Sequence, residues 1–123
     1  MAEQAKRVLV VDDESSIRLA VADALGDEGY EVLTATNGAE ALDLVRESEP
    51  HAVVLDLMMP VLNGWQFLEA CRQEQLCART PVLLVSAYRK LSDAVHEELK
   101  VHEHLAKPFE LDALLGAVAR LVA

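Results

Sequence analysis

The amino-acid sequence predicts an α/β fold, a doubly wound parallel sheet with helices on both faces. The hydrophobic pattern switches five times from a short apolar run to a stripe at 3.6-residue spacing. The apolar runs are continuous rather than alternating, as in strands covered on both sides. Parallel strands joined through helices need right-handed crossovers, which leaves a doubly wound arrangement. The 123 residues fit one domain, 1–123, with no repeat, low-complexity tract or Gly/Ser/Pro-rich linker.

The elements follow in order. Arg7–Val11 is the first strand, and Ile17, Ala20, Val21, Ala24 and Leu25 form the first helical stripe, ended by Gly29. Glu31–Ala35 is the second strand, broken by Asn37-Gly38; Ala41, Leu42 and Val45 give the second helix, closed by Pro50. Ala52–Leu55 is the third strand. Asn63 precedes a stripe of Trp65, Phe67, Leu68 and Cys71, and Gln66 stands three residues on, the pattern of a capping box. Pro81–Val85 is the fourth strand, Leu91–Leu99 a weaker fourth helix, and His102–Ala106 a short, polar fifth strand. Leu111, Leu114, Leu115 and Val118 line the fifth helix. Trp65, Phe67 and the pair Met58–Met59 read as packing residues rather than a ligand box.

Charge and composition exclude several classes of function. Net charge is −10, from 21 acidic and 11 basic residues, with no basic stripe to neutralise phosphates, so this chain is not expected to bind nucleic acid. No apolar run approaches a membrane span, and the N-terminus lacks the apolar core of a signal peptide, so no membrane association and a cytoplasmic location are expected. Cys71 and Cys77 have no partner residues at zinc-ligand spacing.

Open α/β sheets place their ligand groups beyond the carboxyl ends of the strands. Asp12 and Asp13 follow the first strand, Asp56 the third, Ser86 and Ala87 the fourth, and Lys107 and Pro108 the fifth; Thr34–Thr36 offers nothing comparable. Three carboxylates, a hydroxyl and an ammonium therefore converge on one rim. Carboxylates about 4 Å apart repel by about 4 kcal/mol at an effective dielectric of about 20, so such a cluster raises its own pKa values or captures a cation. Few, hard oxygen ligands suit Mg²⁺ better than zinc. A carboxylate beside Mg²⁺ can attack phosphorus, with Lys107 and Ser86 steadying the phosphoryl oxygens. Blander roles exist for each group: Asp12 or Asp13 as a helix cap, Asp56 as a turn residue, Ser86 as a small strand-end residue, Lys107 as a surface lysine. His96, His102 and His104 could likewise be ordinary partly exposed histidines rather than a metal site.

The blocks VLVVDDES, VVLDLMMPVLNGWQFL, PVLLVSA and HLAKPFELDALL together resemble the motifs of bacterial response-regulator receiver domains, in order and spacing. The resemblance implies a flavodoxin-like fold with strand order 2-1-3-4-5 and five helices. It implies a switch phosphorylated on Asp56 by a histidine kinase or histidine phosphotransfer protein, catalysing its own phosphorylation and dephosphorylation rather than turning over a small substrate. Asp12, Asp13, Asp56 and the backbone carbonyl of Met58 would hold Mg²⁺, Ser86 would sense the phosphoryl group, and Lys107 would pair with it. The Lys107-Pro108 bond would be cis. The face formed by the fourth helix, fifth strand and fifth helix would change its affinity for a downstream protein, the chain itself being a monomer or weak dimer with no output domain.

Two departures fall on that output face. The switch position that usually carries Tyr or Phe is His104, whose imidazole would make activation pH-sensitive, and a usual small pair is replaced by Lys100 and Val101. They keep open a second reading, a pseudo-receiver that binds partners without phosphorylation. A phosphatase with an aspartate nucleophile fits less well, because its second acid would fall at Met58.

Overall fold

The computed structural model describes residues 5–59, 61–76, 80–86 and 103–123. In chain order they form β1 (Arg7–Val11), α1 (Ser15–Asp27), β2 (Glu31–Ala35), α2 (Gly38–Ser48), β3 (Ala52–Asp56), α3 (Gly64–Gln73), β4 (Val82–Ser86), β5 (Glu103–Ala106) and α4 (Leu111–Val122). The predicted fourth helix, Leu91–Leu99, lies outside the described residues, as do Cys77, Ala87, His96, Lys100, Val101 and His102. The helix labelled α4 is thus the fifth of the predicted helices.

The five strands pair in parallel as one sheet, ordered β2-β1-β3-β4-β5, the order expected. β3 is central, and all five of its residues are buried. Alternation along the strands sorts the core into two layers. Leu9, Val11, Val53, Leu55, Val82 and Leu84 face Ala41, Leu42 and Val45 of α2 and Phe67, Leu68 and Cys71 of α3. Val8, Val10, Val54, Leu83 and Val85 face Val21 and Leu25 of α1 and Leu114, Ala117 and Val118 of α4. Burying each such side chain contributes about 1.5–3 kcal/mol, so both layers hold the central strand ends in place.

Two strand boundaries differ from the sequence reading. β3 runs through Asp56, which pairs with Val85. β4 begins at Val82 and ends at Ser86; Pro81 has no N–H to give the ladder and only accepts from the Val53 N–H. β5 is described from Glu103. The stripe of α1 is narrower than expected: Val21 and Leu25 are buried, whereas Ala20 is exposed. Met58 is largely exposed (58 %) and Trp65 partly so (36 %), in contrast to buried Phe67 and Met59. Met58 lies just past the end of β3, where local apolarity has no layer to enter, and Trp65 is in the first turn of α3.

Two glycines fasten the segment after β3. The Gly64 N–H donates to the Leu57 carbonyl, and a Cβ on Gly64 would lie 2.8 Å from the Leu57 Cα. The Gly38 N–H donates to the Leu62 carbonyl, and a Cβ there would lie 2.3 Å from that oxygen. Asn63 caps α3 in a full capping box: its Oδ1 accepts from the Gln66 N–H and its own N–H donates to Gln66 Oε1, both at 2.9 Å. The rim beside Asp56 is therefore built from backbone contacts that only small residues allow.

Candidate functional site

Ladder hydrogen bonds carry past the strand ends and hold the polar residues there. The Asp12 N–H donates to the Ala35 carbonyl, the Leu57 N–H to Val85, and the Lys107 N–H to Ser86 at 2.7 Å. Asp12 and Asp56 are buried, and Ser86 is fully so. Asp13 is exposed at the mouth. One oxygen from each of Asp12, Asp13 and Asp56 can be chosen so that all lie within 4.8 Å of one another. This acidic cluster could hold a metal ion.

Lys107 closes the cluster from β5. Its Nζ lies 3.2 Å from Asp12 Oδ2, 3.5 Å from Asp56 Oδ2 and 3.9 Å from Glu14 Oε1. Only 15 % of the Lys107 side chain is exposed, so it is not an ordinary surface lysine. The Lys107-Pro108 peptide is cis. Burial opposes the ammonium charge, but Asp12 and Asp56 outweigh it and hold the Lys107 pKa above its ordinary value. Lys107 is thus firmly cationic.

Asp56 goes the other way. Burial, reinforced by the neighbouring Asp12 charge, pushes its carboxyl up to about 6, although Lys107 and the Met58 N–H favour the anion. The Met58 N–H donates to Asp56 Oδ1 at 3.3 Å. At neutral pH the group is an anion held in an unfavourable place. Such a carboxylate gains from a cation or from conversion to a less charged form.

Asp12 does not cap α1. The N-cap is Glu14, without a side-chain capping bond; Asp12 Oδ1 accepts the Glu14 N–H instead, at 2.9 Å. On β4 and β5, Ser86 Oγ lies 3.0 Å from His104 Nε2. Sequence reasoning missed three contributors. Arg18 donates through its guanidinium to the Asp12 carbonyl, Glu14 adds a carboxylate near Lys107, and Gly64 packs against the Asp56 carbonyl. For Arg18, its place one turn into a helix that starts just past the acidic pair was the available signal.

Fold and rim together define a class: doubly wound α/β domains that gather carboxylates, a hydroxyl and an ammonium at the carboxyl edge of the sheet. The chain belongs to the response regulator receiver domain family, whose pattern matches residues 8–119, and so to the proteins of two-component signalling. It is 40 % identical over 118 residues to the response regulator MprA of a Mycobacterium species, covering 94 % of this chain and 50 % of that protein. It is 39 % identical over 124 residues to a "Probable transcriptional regulator ycf27" of Porphyra purpurea, covering 98 % of this chain and 50 % of the other. The chain spans about half the length of these curated relatives. Among solved structures, the chemotaxis protein CheY4 of Vibrio cholerae superposes with a TM-score of 0.86 at 33 % identity, over 96 % of this chain and 99 % of that one. The receiver domain of Francisella response regulator 1452 gives 0.86 at 30 % identity, over 95 % and 96 %.

Proposed function

We propose that this receiver domain is a phosphorylation-driven switch in which Asp56 accepts a phosphoryl group from the phosphohistidine of a histidine kinase or histidine phosphotransfer protein. The observation that carries the reading is Lys107 Nζ standing within 3.5 Å of both Asp12 and Asp56. It fixes a positive charge where the equatorial phosphoryl oxygens would lie. Asp56 attacks phosphorus, the P–N bond breaks, and the donor imidazole leaves with the electron pair. Lys107 and the Ser86 hydroxyl steady the transferred group. The oxygens of Asp12, Asp13 and Asp56 fit Mg²⁺, joined by the Met58 backbone carbonyl. When bound, the ion would neutralise charge on the phosphoryl oxygens.

The domain catalyses its own phosphorylation and dephosphorylation in the cytoplasm. No helix among the described residues is long and apolar enough to cross a membrane. Phosphorylation changes the face that includes β5 and α4 and with it the affinity for a downstream protein. The net charge of −10 supports a protein partner rather than nucleic acid for this chain.

Incubation with Mg²⁺ and acetyl phosphate, read by intact mass, tests the proposal. One phosphoryl adduct is expected on the wild type and none on Asp56→Asn or in chelator. A wild type without adduct would establish the pseudo-receiver reading instead.

A further inference from the structure

The chain has two asparagines, Asn37 and Asn63, and each stands directly before a glycine. In an unfolded chain that pairing is chemically unstable. The glycine nitrogen attacks the asparagine Cγ, the new N–C bond closes a succinimide ring, and the side-chain nitrogen leaves as ammonia with the proton of the glycine N–H. Water then opens the ring at either carbonyl, giving aspartate or its β-linked isomer, isoaspartate. Glycine favours the attack because no Cβ blocks the approach and its backbone turns freely.

The fold engages both reacting groups at both places. Asn37 Oδ1 accepts the Glu40 N–H, and Asn63 Oδ1 accepts the Gln66 N–H, each at 2.9 Å. The attacking nitrogens are committed as well: the Gly38 N–H donates to the Leu62 carbonyl and the Gly64 N–H to the Leu57 carbonyl, each at 2.9 Å. Both glycines are buried. A Cβ on Gly38 would lie 2.3 Å from the Leu62 oxygen, and one on Gly64 2.8 Å from the Leu57 Cα, so neither nitrogen reaches Cγ without parting from that backbone. Leu57 and Leu62 both belong to the connection between β3 and α3. Val61 in that connection is exposed and holds φ at 68°, a strain that opening relieves.

We propose that Asn37-Gly38 and Asn63-Gly64 are paired deamidation sites, held unreactive by the connection between β3 and α3 and released together when it opens. The chemistry is independent of any phosphoryl transfer at Asp56. An isoaspartate at position 63 adds a main-chain carbon where Gly64 packs against the backbone of Asp56 and Leu57, so the damage falls on the acidic rim.

Ageing of the full chain at mildly alkaline pH, folded and in urea, tests this. Peptide mapping reads asparagine, aspartate and isoaspartate at each position. Both sites should react at least about tenfold more slowly in the folded chain than in urea. Gly38→Ala, whose Cβ pushes the Leu62 carbonyl away, should speed the reaction at Asn63 in the folded chain roughly three- to tenfold, the equivalent of one lost hydrogen bond. Gly64→Ala should do the same at Asn37. The two variants are independent, so either one that folds suffices. Leu114→Ala opens a cavity in the layer on the other face of the sheet; it lowers global stability without touching the connection and should leave both rates unchanged. Folded rates equal to those in urea, a Leu114→Ala effect as large as that of the glycine variants, or a glycine variant that leaves the other asparagine unaffected each overturns the proposal.

Discussion

Replacing Asp56 by asparagine should stabilise the metal-free fold at neutral pH, and the structure sets the size of the effect. The Asp56 carboxyl is pushed up to about 6 from 3.8 by burial and then by Asp12. At 1.36 kcal/mol per unit that is about 3 kcal/mol against the folded anion. At an effective dielectric of about 20, Asp12, with an oxygen within 4.8 Å, repels Asp56 by about 3.5 kcal/mol or more, and Lys107 at 3.5 Å attracts it by about 4.7 kcal/mol. These two charges largely offset each other, so burial decides the sign. Asparagine keeps an oxygen for the Met58 N–H and removes the charge, so a gain of about 2–3 kcal/mol is expected.

The sign of the pH dependence follows. A carboxyl raised on folding binds its proton more tightly in the folded chain. Its favourable contribution is full below about pH 4 and is lost as pH rises through about 6. The advantage of Asp56→Asn should therefore be largest at pH 7–8 and vanish toward pH 4. Urea denaturation in chelator across that range measures it. An asparagine variant no more stable than wild type at pH 7, or a gain that does not change with pH, would refute the clustered, desolvated carboxylate.

Three backbone predictions are measured by the same denaturation assay. Gly38→Ala should lose about 2–3 kcal/mol, because its Cβ would sit 2.3 Å from the Leu62 carbonyl oxygen and 2.9 Å from the Leu62 Cβ; a loss under 0.5 kcal/mol, about the scatter for a surface change, would contradict the close approach. Val61, 79 % exposed, holds φ at 68°, a conformation costly to a β-branched residue, so Val61→Gly should gain about 1 kcal/mol. Asn63→Ala removes the side-chain half of the α3 capping box and should cost about 1 kcal/mol.

Much of the architecture was legible because its signals are local. Apolar period distinguishes strand from helix within a few residues, and Asn63 with Gln66 announced the start of α3 through side chains three positions apart. The strand-end rule then pointed to Asp12, Asp13, Asp56, Ser86 and Lys107 without knowledge of a single distance. The same locality misled at Met58, which is apolar but largely exposed just past the end of β3. It also left Arg18 unremarked, since its partner is a backbone carbonyl that no residue type reveals.

What the sequence determined by itself is the order of elements and the identity of the polar groups at the carboxyl edge. Hydrophobic periodicity and chain connectivity demand that much. Tertiary structure decided which of those groups touch. Lys107 reaches Asp12 across 95 positions, Gly38 meets Leu62, and His104 meets Ser86 because β4 pairs Leu84 with His104. A one-residue slip in that register would turn His104 to the opposite face and break its bond to Ser86. Register is set by how whole layers pack, so the contact between Ser86 and His104 is a property of the folded sheet.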